Sequence, residues 1–454
     1  MFTEFEFTLI VGAGPTGLTL ARVLQRHGVP FRIVEQSPAL PAGSRGKGIQ
    51  PRTQEVLDDL GLLPAFLATG RDYPELLIHL PAGGTATQRM DEWHAPTPAV
   101  PHPNMLMHPQ WRTAELLADG IPVEFGVGVV ELTPDAVTLS TGEVVRPRYV
   151  VGCDGGRSTV RKALDVPFEG ESFPAEQLII ADVRVPGLSR DNWHIWPGAG
   201  QRSLRLGLCP MPGTDTFQLT APPSDQPIEQ LAESVGLTIT DIGWRSLYRA
   251  NIRMVSRYRS GNVFLAGDAA HVHSPAGGQG LNTGIQDAYN LGWKLAYEDL
   301  LDTYEAERLP VAADVLGIST RLHRKAATAS ADAMRRDDPA LRQLGVNYRG
   351  GPLSAEHRDT PGTVQAGDRA PGPILDLLRG PHWTLLAFHW TGDLPAPTPD
   401  CHVHHITDPA AATAYDAHEP TLFLVRPDNY IGCATHNPQD VTAYQHRLRA
   451  RTPA

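Results

Sequence analysis

No segment constrains the architecture of this chain more than "FEFTLIVGAGPTGLTLARVLQRHGVPFRIVEQ" near its start. A β-branched and aromatic run stops at Gly12, and apolar residues then recur at helical spacing as far as Gly28, a C-cap candidate. "PFRIVEQ" reads as a second buried strand, which completes one βαβ unit. Its turn spells GxGxxG at Gly12, Gly14 and Gly17, and Glu35 closes the second strand 21 residues beyond Gly14. The first glycine permits the tight turn, the second lets backbone approach a pyrophosphate, and the third lets helix pack on strand. Pro15 and Thr16 open a helix whose N-terminus faces the anion. Glu35, with Gln36 beside it, is placed to accept hydrogen bonds from an adenosine ribose. The fingerprint occurs once, so a single dinucleotide has a dedicated fold.

The stretch "NVFLAGDAAHVHSPAGGQGLNTGIQDAYNLGWKLA", from Asn262 to Ala296, repeats the order of strand, turn and helix. Its strand ends at Gly267 and Asp268, which is placed to bind a hydroxylated chain. The amides from Gly277 to Leu281 can face a group that becomes negative. Taken alone, these residues are better read as an N-cap and a glycine-rich loop; paired with the N-terminal fingerprint, they read as part of the binding site. His271 and His273 lack the further ligands of a metal site, so they are expected to be structural or to line the pocket.

Between these stretches lies strand-like "YVVGCDGGRSTVRKAL", then alternation from Phe173 to Ile252 that predicts an antiparallel sheet. The apolar pattern breaks in residues 73–103. Gly, Pro and polar residues dominate 347–372, which reads as a linker, and strands of a small α/β domain follow it. The chain of 454 residues can hold two or three domains. The expected division is a discontinuous cofactor domain (1–72, 104–172, 253–346), a substrate domain (73–103, 173–252), the linker, and a C-terminal domain (373–454).

A net charge of −11 without any Lys/Arg run argues against a nucleic-acid partner. The four cysteines contain no CxxC pair, so no dithiol chemistry is expected of the tail. Glu4 and Glu6 stand where a signal peptide carries basic residues, and "LIVGAGPTGLTLA" is too short and Gly-rich to span a bilayer. A cytoplasmic protein with no membrane partner is expected.

Together, "VGAGPTGL" with Glu35, "SRGKGIQPRTQEVL", "VGCDGGRSTVRKAL", "LAGDAAHVHSPAGGQGLNTGIQDAYNLGWKLA" and "DTYEAERLPVA" resemble the class A flavin monooxygenases. The likeness is to the aromatic-hydroxylase type, with a para-hydroxybenzoate hydroxylase-like fold, and above all to the bacterial branch that oxygenates polycyclic aromatic polyketides. It covers about the first 330 residues, while the tail resembles that branch's degenerate thioredoxin-like domain. The resemblance implies a Rossmann-like α/β domain, an α+β middle domain with an antiparallel sheet, and bound FAD. It places the pyrophosphate over Gly12 to Gly17 and the ribityl chain near Asp268, and it brings Arg45 and Gln110 to the flavin. Asp154 and Gly155 correspond to a motif that serves FAD and the passing nicotinamide cofactor. Pro275, Gly278, Gln279, Gly280, Leu281 and Asn282 would surround the flavin ring, with backbone amides of the glycine turn as the catalytic donors. Two surface segments, after Gln110 and before Asp302, are shorter than the family's.

The implied reaction consumes NAD(P)H and O2 and hydroxylates an aromatic phenol through a flavin C4a-hydroperoxide, in a monomer or homodimer. Trp193, Trp196, Phe217 and Trp244 are candidate walls of the substrate pocket. Baeyer-Villiger insertion or oxidative inactivation of an antibiotic would use the same flavin site. A non-catalytic flavin-binding protein is the reading from another class.

Overall fold

Three strands from distant parts of the chain lie side by side in the computed structural model, which describes residues 6–198, 204–274, 277–327 and 335–449. Thr8–Val11 pairs in parallel with Tyr149–Gly152, which pairs in parallel with Val263–Leu265. Phe31–Glu35 and then Val123–Phe125 extend the sheet on the other side, and Arg259–Ser260 closes the first edge antiparallel. Thr8–Val11 is buried at all four positions, as its unbroken apolar run requires of a strand covered on both faces. The helix Pro15–Arg26 packs against the helix Gly280–Lys294 so closely that a Cβ on Gly292 would stand 2.5 Å from Val23. Parallel pairing therefore gathers three glycine-containing turns, at residues 12–17, 153–156 and 266–269, at the C-terminal ends of adjacent strands. That edge is where open α/β sheets bind ligands.

The middle sheet has eight strands and is mainly antiparallel, built around Phe168–Arg184 and Asp241–Val255. Their pairing continues past residues 172 and 252, with a register shift after Phe173, so a paired ribbon rather than a loop joins the two sheets. Residues 73–103 supply a hairpin, Leu76–His79 with Thr85–Gln88, at the far edge. Period-two alternation sorts the faces: Ile179, Ala181 and Leu219 pack in a core, while Leu178, Ile180 and Thr220 turn the other way, into a cavity.

The tail forms a five-stranded sheet in the order Ala355–Glu356, Ile431–Thr435, Thr421–Val425, Trp383–Phe388, Cys401–Ile406. Only the first and last pairings are parallel, in accord with the thioredoxin-like expectation, and residues 389–400 carry no helix between their strands. The expected linker 347–372 is part of this body. Ala355–Glu356 joins the sheet and Leu353, Ala366 and Ala370 are buried, because its few apolar residues find a core despite the Gly and Pro around them.

The contact between the tail and the cofactor domain is built largely from buried charges. Arg426 forms ion pairs with Glu307 (2.6 Å) and Asp428 (2.6 Å), and Lys294 reaches Glu307 at 2.7 Å, all fully buried. Trp293 meets Trp383 edge-on at 5.7 Å beside them. No helix among the described residues is long and apolar enough to cross a membrane.

Candidate cofactor and substrate site

A cavity of about 1400 Å³ lies between the three turns and the middle sheet. The first turn shows why its glycines differ. Gly12 has φ +104°, and a Cβ there would stand 2.5 Å from the Cys153 carbonyl oxygen. A Cβ on Gly17 would stand 2.0 Å from the Gly12 carbonyl oxygen. Gly14, at φ −75° and ψ 176°, has nothing within 4 Å of where its Cβ would be. Neither backbone nor neighbours demand glycine at that position; the space left open belongs to the cavity, where Pro15 and Thr16 also face. No side chain caps the helix that starts there, so its first amides remain available to an anion.

Glu35 lies behind the turn, outside the cavity lining, with Oε2 accepting from Ala13 N–H and Oε1 from Ser37 N–H, both at 2.9 Å. Gln36 is exposed and also outside the lining. Arg45 and Gln110 both line the cavity, and Gln110 Oε1 accepts from Gly46 N–H at 2.8 Å. The short helix Gln110–Ala118 thus keeps Gln110 anchored by its first residue.

In the second turn, Asp154 Oδ2 accepts from the amides of Thr159 (2.6 Å) and Val160 (3.2 Å), while Oδ1 is buried without a partner. Asp154 thus joins the N-cap Ser158 in satisfying the first amides of the helix Thr159–Ala163, with one oxygen left over at the cavity, where Gly155 also lies. In the third turn, a Cβ on Gly267 would stand 2.5 Å from Thr16 Oγ1, so the first and third turns touch. Asp268 faces the cavity, and no described residue hydrogen-bonds its carboxylate. Enclosure by protein pushes its pKa up, against the opposing pull of His271 and Arg45.

Pro275 lies outside the described residues. Gly278, Gln279, Gly280 and Leu281 line the cavity at the start of the helix Gly280–Lys294. The ladder of that helix opens with Thr283 N–H to the Gln279 carbonyl at 2.9 Å, so the amides of Gly280, Leu281 and Asn282 precede it. The Gln279 side chain turns back onto the Gly277 carbonyl at 2.8 Å. The Asn282 side chain does not line the cavity. It donates to the Gly48 (2.9 Å) and Gly278 (2.8 Å) carbonyls and accepts from Gln50 N–H at 2.8 Å, which ties the glycine turn to the Arg45–Gln50 loop.

His271 and His273 hydrogen-bond each other at 2.9 Å. His271 Nε2 also meets Asp287 at 2.6 Å, and Arg308 meets the other Asp287 oxygen at 2.7 Å. Burial alone would raise the Asp287 pKa, but Arg308 and His271 hold it below the usual carboxylate range. Only His273 of the pair reaches the cavity.

Of the four aromatic wall candidates, Trp193 alone lines the cavity. Trp196 stacks on His79 at 4.1 Å, Phe217 lies in the sheet core, and Trp244 packs against Gly43 near Arg45. Sequence reasoning missed Lys47, Tyr73, Met105 and Gln218. Strand alternation in "LIIADVRV" and "FQLTA" was the one signal that could have assigned the sheet's lining residues.

Fold and site together define a flavoprotein oxygenase: a nucleotide turn on a parallel sheet, set beneath an antiparallel sheet that roofs one large cavity. Residues 7–319 match the family described as an FAD binding domain, and the chain belongs to this family as an FAD-dependent monooxygenase. It is 44% identical to a flavin-dependent monooxygenase of Mycobacteroides abscessus, over 97% of this chain and 99% of that one. It is 38% identical to a rifampicin monooxygenase of Streptomyces venezuelae, over 68% of this chain and 69% of the other. The solved structure of the OxyS anhydrotetracycline hydroxylase from Streptomyces rimosus superposes with a TM-score of 0.72 at 29% identity, covering 99% of each chain.

Proposed function

We propose that the protein hydroxylates a polycyclic aromatic, polyketide-type phenol, consuming NAD(P)H and O2. The cavity carries this reading: at about 1400 Å³ it runs from the nucleotide turn to the middle sheet and exceeds the usual 300–1,000 Å³ of a single small-ligand pocket. FAD and a flat substrate can share it. The open position at Gly14, the unpartnered Asp154 Oδ1 and the unbonded Asp268 carboxylate are what a dinucleotide would complete. On this reading the Gly12–Gly17 turn holds the pyrophosphate, Asp268 the ribityl hydroxyls, and Glu35, outside the cavity lining, the adenosine ribose through the lone pairs left after Ala13 and Ser37. The amides from Gly278 to Asn282 face the flavin ring, where they stabilise negative charge without reorganising. When bound, FAD supplies the reduction by NAD(P)H and the activation of oxygen. The protein's own part is to orient the substrate and exclude water.

Asp268→Ala is expected to lower FAD affinity about tenfold or more, since a hydrogen bond to a charged group contributes roughly 1.5–3 kcal/mol. FAD titration by flavin fluorescence measures it, and unchanged affinity would remove Asp268 from the site. For the reaction, the FAD-loaded protein is incubated with NADPH, labelled O2 and a tetracyclic phenol such as anhydrotetracycline. One labelled oxygen on a ring carbon, located by mass spectrometry and NMR, supports hydroxylation; oxygen inserted into a C–C bond selects Baeyer-Villiger chemistry. The rifampicin monooxygenase relative favours a second reading, oxidative inactivation of an antibiotic, which the same assay tests with rifampicin. Absence of NAD(P)H oxidation with every substrate would leave only the non-catalytic reading.

A further inference from the structure

Lys47 is one of four lysines in the chain and, among the described residues, the one that lines the cavity. Its backbone is pinned: the Lys47 carbonyl accepts from the Tyr73 hydroxyl at 3.0 Å and from His108 N–H at 2.9 Å. Its ammonium sits over the Trp193 ring, 3.9 Å from the centroid, and donates to Gln218 Oε1. The Gln218 amide is itself oriented by a donation from Nε2 to the Ser44 carbonyl, which turns its oxygen toward Lys47.

The cation lacks an ion pair. No carboxylate among the described residues lies within 4.0 Å of Nζ. Asp182, the carboxylate that acts on it, accepts from Ser44 N–H at 3.1 Å through one oxygen, and its other oxygen is buried without a partner. Burial raises the Asp182 carboxyl to about 6, so it is still largely ionised at neutral pH, but it makes no ion pair with Nζ within 4.0 Å and is held instead by Ser44. Burial also raises the Cys209 thiol beside Lys47, which stays neutral. The Tyr73 hydroxyl, pushed far up by burial, is neutral as well. Burial in turn lowers the Lys47 pKa. A half-buried ammonium held by one amide oxygen, one aromatic face and the neighbouring Cys209 thiol, with no ion pair, presents positive potential to the cavity that an anionic ligand oxygen would complement.

We propose that Lys47 is the substrate-recognising cation, which pairs with the phenolate or enolate oxygen of a flat aromatic substrate lying against Trp193, Leu178 and Ile180. This deepens the hydroxylase reading and rests on it. The neutral phenol can give its proton to the Lys47 amine, the O–H electron pair staying on oxygen, or the anion can be captured from solution by the ammonium. Both routes end in the same ammonium–phenolate pair. The ring is thereby held in its electron-rich form, the form that electrophilic oxygen transfer requires.

The test uses the FAD-loaded enzyme and 1,8-dihydroxyanthraquinone, whose phenol and phenolate absorb at different visible wavelengths. In the wild type the bound dye is expected to ionise at a proton concentration about tenfold or more above that for the free dye, as an adjacent cation dictates. Lys47→Met should abolish that shift, while Lys47→Arg should keep most of it, a split that a merely structural role would not produce. The wild-type measurement stands by itself if the Met variant fails to fold. Dye bound only in neutral form, an equal shift in wild type and Met variant, or no binding by the wild type overturns the assignment. FAD content and NAD(P)H oxidation are recorded on the same samples. If they are normal and the dye shift is missing, Lys47 alone has been misassigned; if they are absent, the hydroxylase reading itself fails.

Discussion

Gly14→Asp is expected to yield a folded, colourless protein. The backbone there has φ −75° and ψ 176°, open to any residue, and a Cβ meets nothing within 4 Å. An aspartate at the N-cap even suits the helix that starts at Pro15, so the melting temperature should hold or rise slightly. In the holoenzyme the same carboxylate would stand where the reading places the FAD pyrophosphate. Like-charge juxtaposition costs several kcal/mol, so affinity should fall by more than about 100-fold. Gel filtration with detection of the flavin's visible absorbance reads the result, and a variant that still carries FAD would remove the turn from the cofactor site. Gly17→Ala provides the contrast within one motif. Its Cβ would collide with the Gly12 carbonyl at 2.0 Å, so the fold itself should suffer.

Glu307→Gln is expected to destabilise the protein by about 3–5 kcal/mol, the usual cost of stranding a buried charge. Both Arg426 and Lys294 lean on this carboxylate, and Asn290 donates to it at 2.8 Å. The melting temperature should drop by at least about 5 °C, with the tail becoming the first region cut by protease. An unchanged melting profile would show the network to be energetically idle. The pH dependence has a definite sign. Burial would raise the Glu307 pKa, but Arg426 and Lys294 hold it down to about 2. Its contribution is therefore complete above the ordinary glutamate value of about 4.3 and is lost as pH falls from there through the folded pKa. Acid unfolding between those limits should be shallower in Glu307→Gln than in the wild type.

The same helix shows how the two ends of the molecule are linked. Gly280 to Asn282 open it at the cavity, and Asn290 and Lys294 close it inside the charge network of the tail. The tail thus buttresses the helix that presents the cavity amides, although none of its described residues lines the cavity. Nothing in "RPDNY" or "YEAERLP" marks those acids and bases as partners, because they are more than a hundred residues apart in sequence.

What the sequence determined by itself was local. A glycine pattern between a strand and a helix states its own conformation, since only glycine reaches φ +104° at Gly12 or tolerates a carbonyl against Gly17. Strand alternation likewise predicts an antiparallel sheet from Phe173 onward, and the order of motifs carries the family resemblance. Tertiary structure alone decided which residues share a cavity. Parallel pairing of Thr8–Val11, Tyr149–Gly152 and Val263–Leu265 brings Gly14, Asp154 and Asp268 to one edge. It also shows Glu35 behind the turn, Trp196, Phe217 and Trp244 outside the lining, and Lys47 unpaired against Trp193. Composition and spacing carry no trace of those placements, because strand pairing acts through backbone hydrogen bonds that any residue can make. Which side chain then faces the cavity depends on register, and register is settled only when the whole sheet is assembled.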